Sequence, residues 1–257
     1  MSFSADWLQL REGADARARN QEVAAAVSAA FAGRSGLSVT DLGAGSGNNL
    51  RATAPFLGPG QCWMLIDNDA ALLDLAEAPQ GGTLVRNVLD LAAMPEAALR
   101  GEPDLVTASA FFDLVGADWL HRFVRSLSGT GAALYAVLSY DGREHWLPPH
   151  PLDEAARAAF HADQRRDKGF GPSLGPDAHA ALVAALQAAG YAVTQGPSDW
   201  VLQAPADAEL IAELAGGSAR AVEPALGFET AAWRDDRVAA SKVVIGHRDL
   251  LAMPPDK

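Results

Sequence analysis

The stretch Val39-Thr40-Asp41-Leu42-Gly43-Ala44-Gly45-Ser46-Gly47 places glycine at three alternate positions directly behind a short β-prone run. Without a Cβ, glycine lets the chain turn sharply out of a strand and lets a ligand approach the backbone, and the first N–H groups of the following helix have no partner within it. Such a turn is a cofactor cradle. A dinucleotide cradle uses G-x-G-x-x-G, whereas here the spacing is G-x-G-x-G and Asn48 stands where the third glycine would fall. Asp41, at the strand tip, is expected to face the ligand, where its carboxylate repels a pyrophosphate and attracts positive charge.

Two further carboxylates stand at the tips of the next two β-prone runs. Asp67 follows Trp63-Met64-Leu65-Ile66 at the spacing from the glycines at which a carboxylate accepts from ribose hydroxyls, with Asn68 beside the base. In Asn87-Val88-Leu89-Asp90-Leu91, Asp90 can accept from an exocyclic amine while Leu91 packs near the ring. A nucleoside carrying an ammonium and a sulfonium suits this acidic edge, which describes S-adenosylmethionine.

With these residues in register, the chain resembles the class I S-adenosylmethionine-dependent methyltransferases. The resemblance runs from Leu37 to Ser139, through Asp41 to Gly47, Asp67, Asp90 and the fourth-strand exit Ala108-Ser109-Ala110-Phe111-Phe112-Asp113. It implies methyl transfer from S-adenosylmethionine on an α/β, Rossmann-like, seven-stranded and mostly parallel sheet with helices on both faces, its last strand reversed. It also implies that Asp41, Gly43, Ala44, Gly45, Gly47, Asp67, Asn68, Asp90, Leu91, Ser109 and Phe111 hold the cofactor. It names no acceptor, because the substrate region is not shared across that family.

Methyl transfer is an in-line displacement that depends first on holding the nucleophile against the methyl group, and a base helps only if the acceptor must lose a proton. Tyr140 and His150 are the candidates for that base. Asp113, Arg143, His161, Lys168 and Phe170 are the candidates for acceptor binding, although Asp113 reads equally as a helix cap. Lys168 and Phe170, between Gly169 and Gly171, would suit an anionic or heteroaromatic acceptor, and the same run reads as a solvated basic loop. His145, His150, Asp153 and His161 match no helix-paired zinc spacing, so no metal site is expected. Trp7, Arg11, Asp15 and Arg19 recur every four residues as an ion-pair stripe; in the resembled family a leading helix can cover the cofactor, so Arg11 or Arg19 could meet a carboxylate.

The elements that must position these groups alternate along the chain. Leading helices are expected over 1–36, a cofactor-binding core over 37–140, an irregular insertion or lid over 141–175, and the C-terminal half of the sheet with a helical insertion over 176–257, all in one domain. Strands are expected at Leu37–Leu42, Trp63–Ile66, Thr83–Leu89, Asp104–Ala110, Ala132–Ser139, Gly190–Thr194, Trp200–Gln203 and Lys242–Gly246.

The 257 residues carry a formal net charge of -12, which disfavours polyanionic partners and makes a small molecule the expected one; a nucleic-acid partner is not expected. No apolar stretch reaches the length of a membrane span, no basic leader opens the sequence, and one cysteine, Cys62, cannot form an intrachain disulfide, so the chain reads as cytoplasmic with no membrane partner. Cys62 is expected to be buried. Rival readings are a binding protein that keeps this fold without the chemistry, a nicotinamide enzyme, and a methyltransferase acting on RNA.

Overall fold

The structure is a computed structural model that describes residues 4–167 and 169–255. The chain opens with α1 (Ala5–Ala18), capped by the Ser4 hydroxyl, and α2 (Gln21–Ala30), capped by the Asn20 side chain. The alternating core is β1 (Ser38–Leu42), α3 (Asn48–Thr53), β2 (Cys62–Asp67), α4 (Ala70–Asp74), β3 (Thr83–Val88), β4 (Leu105–Ser109), α5 (Ala117–Thr130) and β5 (Ala133–Leu147). After it come α6 (Asp153–Gln164), α7 (Ala178–Ala188), β6 (Ala192–Pro197), β7 (Trp200–Gln203), α8 (Ala208–Leu226), α9 (Glu229–Val238) and β8 (Lys242–Met253).

Among the described residues one sheet of eight strands runs in the order β3-β2-β1-β4-β5-β8-β6, with β7 on β8. The first five are parallel, and β8 is antiparallel to β5, β6 and β7. The expected reversed last strand is therefore present, and β7, which falls on the expected run Trp200–Gln203, makes the sheet one strand larger than the seven the resemblance implies. Parallel strands need helical crossovers, and these cover both faces. Val23, Val27, Leu50, Trp63, Leu65, Tyr135 and Ile211 pack on one side. On the other, Trp119, Phe123 and Leu127 of α5, spaced at helical intervals, join Leu182 and Leu186 of α7 against Val106, Ala108 and Leu134.

The register sets the site. Leu42 lies level with Ile66 and Ala108, and Asp67 with Val88, so the turns after β1, β2, β3 and β4 open at one edge of the sheet. Such a carboxyl edge, flanking the first strand where the strand order reverses, is where open α/β sheets bind ligands.

Two expectations change. The insertion over 141–175 is not irregular at its start: β5 continues through Leu147 against β8, and α6 follows. Polar and charged residues such as Asp141, Arg143 and Glu144 hide this strand from a hydrophobicity pattern. With α8 and α9, α6 makes a separate small core around Ala156, Val222 and Trp233. Cys62 is exposed, because it is the first residue of β2 and points away from the face on which Trp63 and Leu65 are buried. No described helix is long and apolar enough to cross a membrane.

Candidate functional site

The glycine turn takes the conformation its composition allows: Gly43 and Gly45 have φ of +60° and +50°. A Cβ on Gly43 would lie 2.8 Å from the Phe111 ring, and one on Gly45 would lie 2.9 Å from Leu8 Cδ1. Phe111 and α1 therefore close on the loop as tightly as glycine permits. Asn48 Nδ2 fastens α1 by donating to the Leu8 carbonyl at 2.7 Å.

The crevice beyond the sheet encloses about 1000 Å³, counting the space open at its mouth. Gly43, Ala44, Gly45, Asp67, Asn68, Asp90, Leu91, Ser109 and Phe111 line it, and so does Phe170. Asp67 Oδ2 accepts from Gly45 N at 2.8 Å and Oδ1 from Asp69 N at 3.0 Å, so its carboxylate is locked at the β2 tip with capacity left on both oxygens. Asp90 Oδ1 accepts from Ala92 N at 2.9 Å. Trp119 Nε1 donates to the Leu91 carbonyl at 2.7 Å, holding the turn after β3 against α5. Ala110 lines the same wall with φ of +50°, a strained backbone for a residue with a Cβ.

Asp41 does not face this space. It is fully buried below the turn and accepts from Asn49 Nδ2 at 2.6 Å, while Asn49 Oδ1 accepts from Arg19 Nη2 at 2.6 Å. Burial, partly offset by Asn49 and Arg19, pushes its pKa up to about 7. The expectation that Asp41 meets the ligand is therefore corrected: in β1, buried on both faces, the tip residue points inward, and the acidity of the crevice comes from Asp15, Asp67 and Asp90. Gly47 likewise lies off the lining and serves as the N-cap of α3, with φ of +82°.

Of the leading stripe, Arg11 and Asp15 line the crevice and Arg19 is spent on Asn49 and Thr53. Leu8, Leu72 and Leu114 also line it. They were not singled out in the sequence, where they are ordinary apolar residues of helical segments and turns.

The acceptor candidates separate. Tyr140 is buried, and its hydroxyl is 2.9 Å from His161 Nε2, with the Phe160 and His247 rings packed around it. Burial, and then the Glu144 charge, raises the Tyr140 pKa above the usual phenol range. Burial, with Arg165 and Arg157 nearby, lowers that of His161. Asp113 acts on Tyr140 through its charge. His150 sits elsewhere: Nδ1 accepts from Leu152 N at 3.0 Å and Nε2 stands 3.5 Å from Asp236 of α9. Arg143 is half exposed and pairs with Asp141 and Asp199 at 2.6 and 2.7 Å. Phe170 packs edge-on against Phe111 and Trp119, on the Leu91 side of the crevice rather than beside Tyr140. Lys168 lies outside the described residues. Among the described residues no three His, Cys, Asp or Glu side chains are grouped to hold a metal ion.

Neither a family model nor a curated protein matches the chain at significant similarity. Solved structures do match. A candidate methyltransferase of Bacillus halodurans superposes with a TM-score of 0.54 at 15% identity, over 91% of this chain and 100% of its own. The cyclopropane synthase MmaA2 of Mycobacterium tuberculosis gives 0.54 at 12% identity, over 97% of this chain and 94% of that one. The fold is that of the class I methyltransferases. The YcgJ protein of Bacillus subtilis gives 0.53 at 12% identity, over 93% of this chain and 100% of its own. At these identities the likeness carries the fold alone, and leaves ligand and chemistry to the residues of the crevice.

Proposed function

We propose that the chain is an S-adenosylmethionine-dependent methyltransferase acting on a small polar acceptor. The observation that carries this reading is the composition of the crevice at the carboxyl edge of β1, β2, β3 and β4. Glycine cradles the ligand from below, Asp67 and Asp90 stand at neighbouring strand tips, and Arg11, the one cation among the described lining residues, is already paired with Asp15. A pyrophosphate there would meet three carboxylates without a free counter-charge, whereas a nucleoside joined to an ammonium and a sulfonium is attracted.

The residues fit the cofactor's parts. Asp67, fixed by Gly45 N, has lone pairs left for ribose hydroxyls. Asp90 suits an exocyclic amine, and Leu72, Leu89, Leu91 and Phe111 give the base apolar walls. When bound, the cofactor supplies an electrophilic methyl group on a positively charged sulfur. The protein's share is to exclude water, with Leu8, Phe111 and Phe170 in the apolar lining, and to hold the acceptor in line.

Where the acceptor must lose a proton, the hydrogen-bonded pair Tyr140–His161 is the candidate base, and it stands outside the residues that line the crevice. A phenol raised above its usual range keeps its proton and is a poor acceptor, so the imidazole paired with it, its own pKa lowered by burial, is the group of the two that can take a proton up. His150, engaged with Leu152 and Asp236, has no part in this reading.

Titration calorimetry with S-adenosylmethionine, S-adenosylhomocysteine and NAD, followed by a labelled-methyl screen of metabolite fractions, tests the proposal. Binding of the two sulfur nucleosides and a labelled small-molecule product are expected. NAD binding in their place would overturn it. Binding with no product from any fraction would favour a non-catalytic binding protein.

A further inference from the structure

Three non-glycine residues among those described have left-handed φ: Glu102, Ala110 and Leu138. Glu102 sits in an exposed loop, but the other two are joined. Ala110, in the crevice wall between Ser109 and Phe111, donates its N–H to the Val137 carbonyl at 3.0 Å. Leu138, fully buried with φ of +55°, donates its own N–H to Asp249 Oδ1 at 2.8 Å.

The Val137 C=O and the Leu138 N–H belong to one peptide group, which is planar and trans, so the two point in opposite directions. Hydrogen bonds therefore run from Asp249, through a single rigid plane, to the backbone of the crevice wall. The register explains why a side chain is needed there. Ala136 pairs with Leu250 and Ser139 with Arg248, so Val137 and Leu138 of β5 oppose Asp249 alone in β8. That is a β-bulge, and a bulge leaves a residue outside the ladder. The Asp249 carboxylate supplies the acceptor that the ladder lacks.

Asp249 is itself held. It is fully buried, and Oδ2 accepts at 2.9 Å from the N–H of Asn20, the residue whose side chain caps α2. A left-handed backbone is unfavourable for a residue with a Cβ and persists only where its surroundings over-determine it. At Leu138 the carboxylate is that constraint. At Ala110 it is the Val137 carbonyl, polarised by the bond behind it. Phe111, the next residue along the wall, already stands 2.8 Å from where a Gly43 Cβ would lie, so a small rotation at Ala110 would drive the ring into the glycine turn or lift it away.

We infer that Asp249 is a positioning residue for the ligand crevice, holding the β5 bulge whose peptide plane sets the wall at Ala110. Its effect on ligand affinity rests on the S-adenosylmethionine reading of the crevice, whereas the hydrogen-bonded relay does not.

The test is a double-mutant cycle between Asp249→Ala and Ala110→Gly, with circular dichroism to show that each variant is folded. Glycine takes a left-handed backbone without strain, so a wall carrying it depends less on its anchor. In calorimetry with S-adenosylhomocysteine, Asp249→Ala is expected to lower affinity about tenfold alone and only about threefold beside Ala110→Gly. An equal loss in both backgrounds, or no loss in either, would make Asp249 merely structural and overturn the inference. Amide hydrogen exchange reads the relay without a ligand. In the wild type the Ala110 and Leu138 amides are expected to exchange within about tenfold of each other, opening as one unit, and Ala110 to lose protection in Asp249→Ala. A wild-type Ala110 amide exchanging faster than that would overturn the inference even if the variant did not fold. If S-adenosylhomocysteine fails to bind the wild type while the exchange result holds, the cofactor reading falls and the relay stands.

Discussion

Asp67 shows how one side chain serves fold and ligand together. Its two oxygens already accept from Gly45 N and Asp69 N, so the carboxylate ties the glycine turn to β2 before any ligand arrives. Asp67→Ala is therefore expected to weaken S-adenosylhomocysteine binding by about 1–3 kcal/mol, because charge-assisted contacts to hydroxyls are lost and Gly45 N is left without its partner. Calorimetry checks this, and unchanged affinity would mean that the ribose does not sit at the β2 tip. His161 gives a pH signature. Its pKa lies below the usual histidine value, so it stays neutral as pH falls through the ordinary range and charges only below it. Turnover is expected to be flat from about pH 8 to pH 6.5 and to fall only under more acidic conditions. Tyr140→Phe should lower kcat while leaving cofactor affinity within about twofold, since the hydroxyl touches His161 and not the crevice. A loss of turnover centred above pH 7 would exclude His161 as the base.

At the scale of elements, legibility followed how strongly local chemistry dictates local shape. The turn from Gly43 to Gly47 was readable because three glycines have left-handed φ, and few other residues adopt that backbone. β1, β2 and β4 were readable as apolar runs between turn residues. The continuation of β5 to Leu147 was not, because Asp141, Arg143 and Glu144 find their partners in tertiary structure: Arg143 between Asp141 and Asp199, and Glu144 with the Trp146 indole. The inward turn of Asp41 was hidden for a similar reason, since Asn49, which receives it, also bonds Thr107 and Arg19 from two other elements. The turn also carries a prediction of its own. Gly43→Ala puts a Cβ 2.8 Å from the Phe111 ring at a φ of +60°, so it is expected to destabilise the chain by about 1–3 kcal/mol, from left-handed strain plus overpacking. Adding Phe111→Leu relieves the overpacking only. In chemical denaturation the double variant should then recover part of the loss, and full recovery would show that backbone strain is negligible there.

At the scale of the whole molecule, buried titratable groups pull stability in opposite directions. The net charge of -12 already resists binding to phosphate backbones, so an RNA acceptor would need a local basic surface that the described crevice lacks. Within the fold, Asp41 is raised from 3.8 to about 7 by burial, so the native state holds a proton that the unfolded chain releases, and stability falls as pH rises between those values. His247 is lowered from 6.5 to about 3 by burial, and then by Arg11, so the unfolded chain takes up a proton that the native state refuses. Stability is lost as pH falls below 6.5. Between about pH 4 and 6.5 the two oppose each other, while between 6.5 and 7.5 the unfolded histidine falls from about half to about a tenth protonated and offsets only part of the Asp41 titration. Over that upper window the wild type is expected to lose up to about 1 kcal/mol, or about 2–4 °C in Tm, and Asp41→Asn should flatten the decline. His247→Phe should steepen the decline in the upper window somewhat and soften the acid limb below pH 6. Melting curves at half-unit pH steps decide the matter. A decline of equal slope in wild type and Asp41→Asn would show that Asp41 is ionised throughout, paired with Arg19 across Asn49 rather than waiting for a proton.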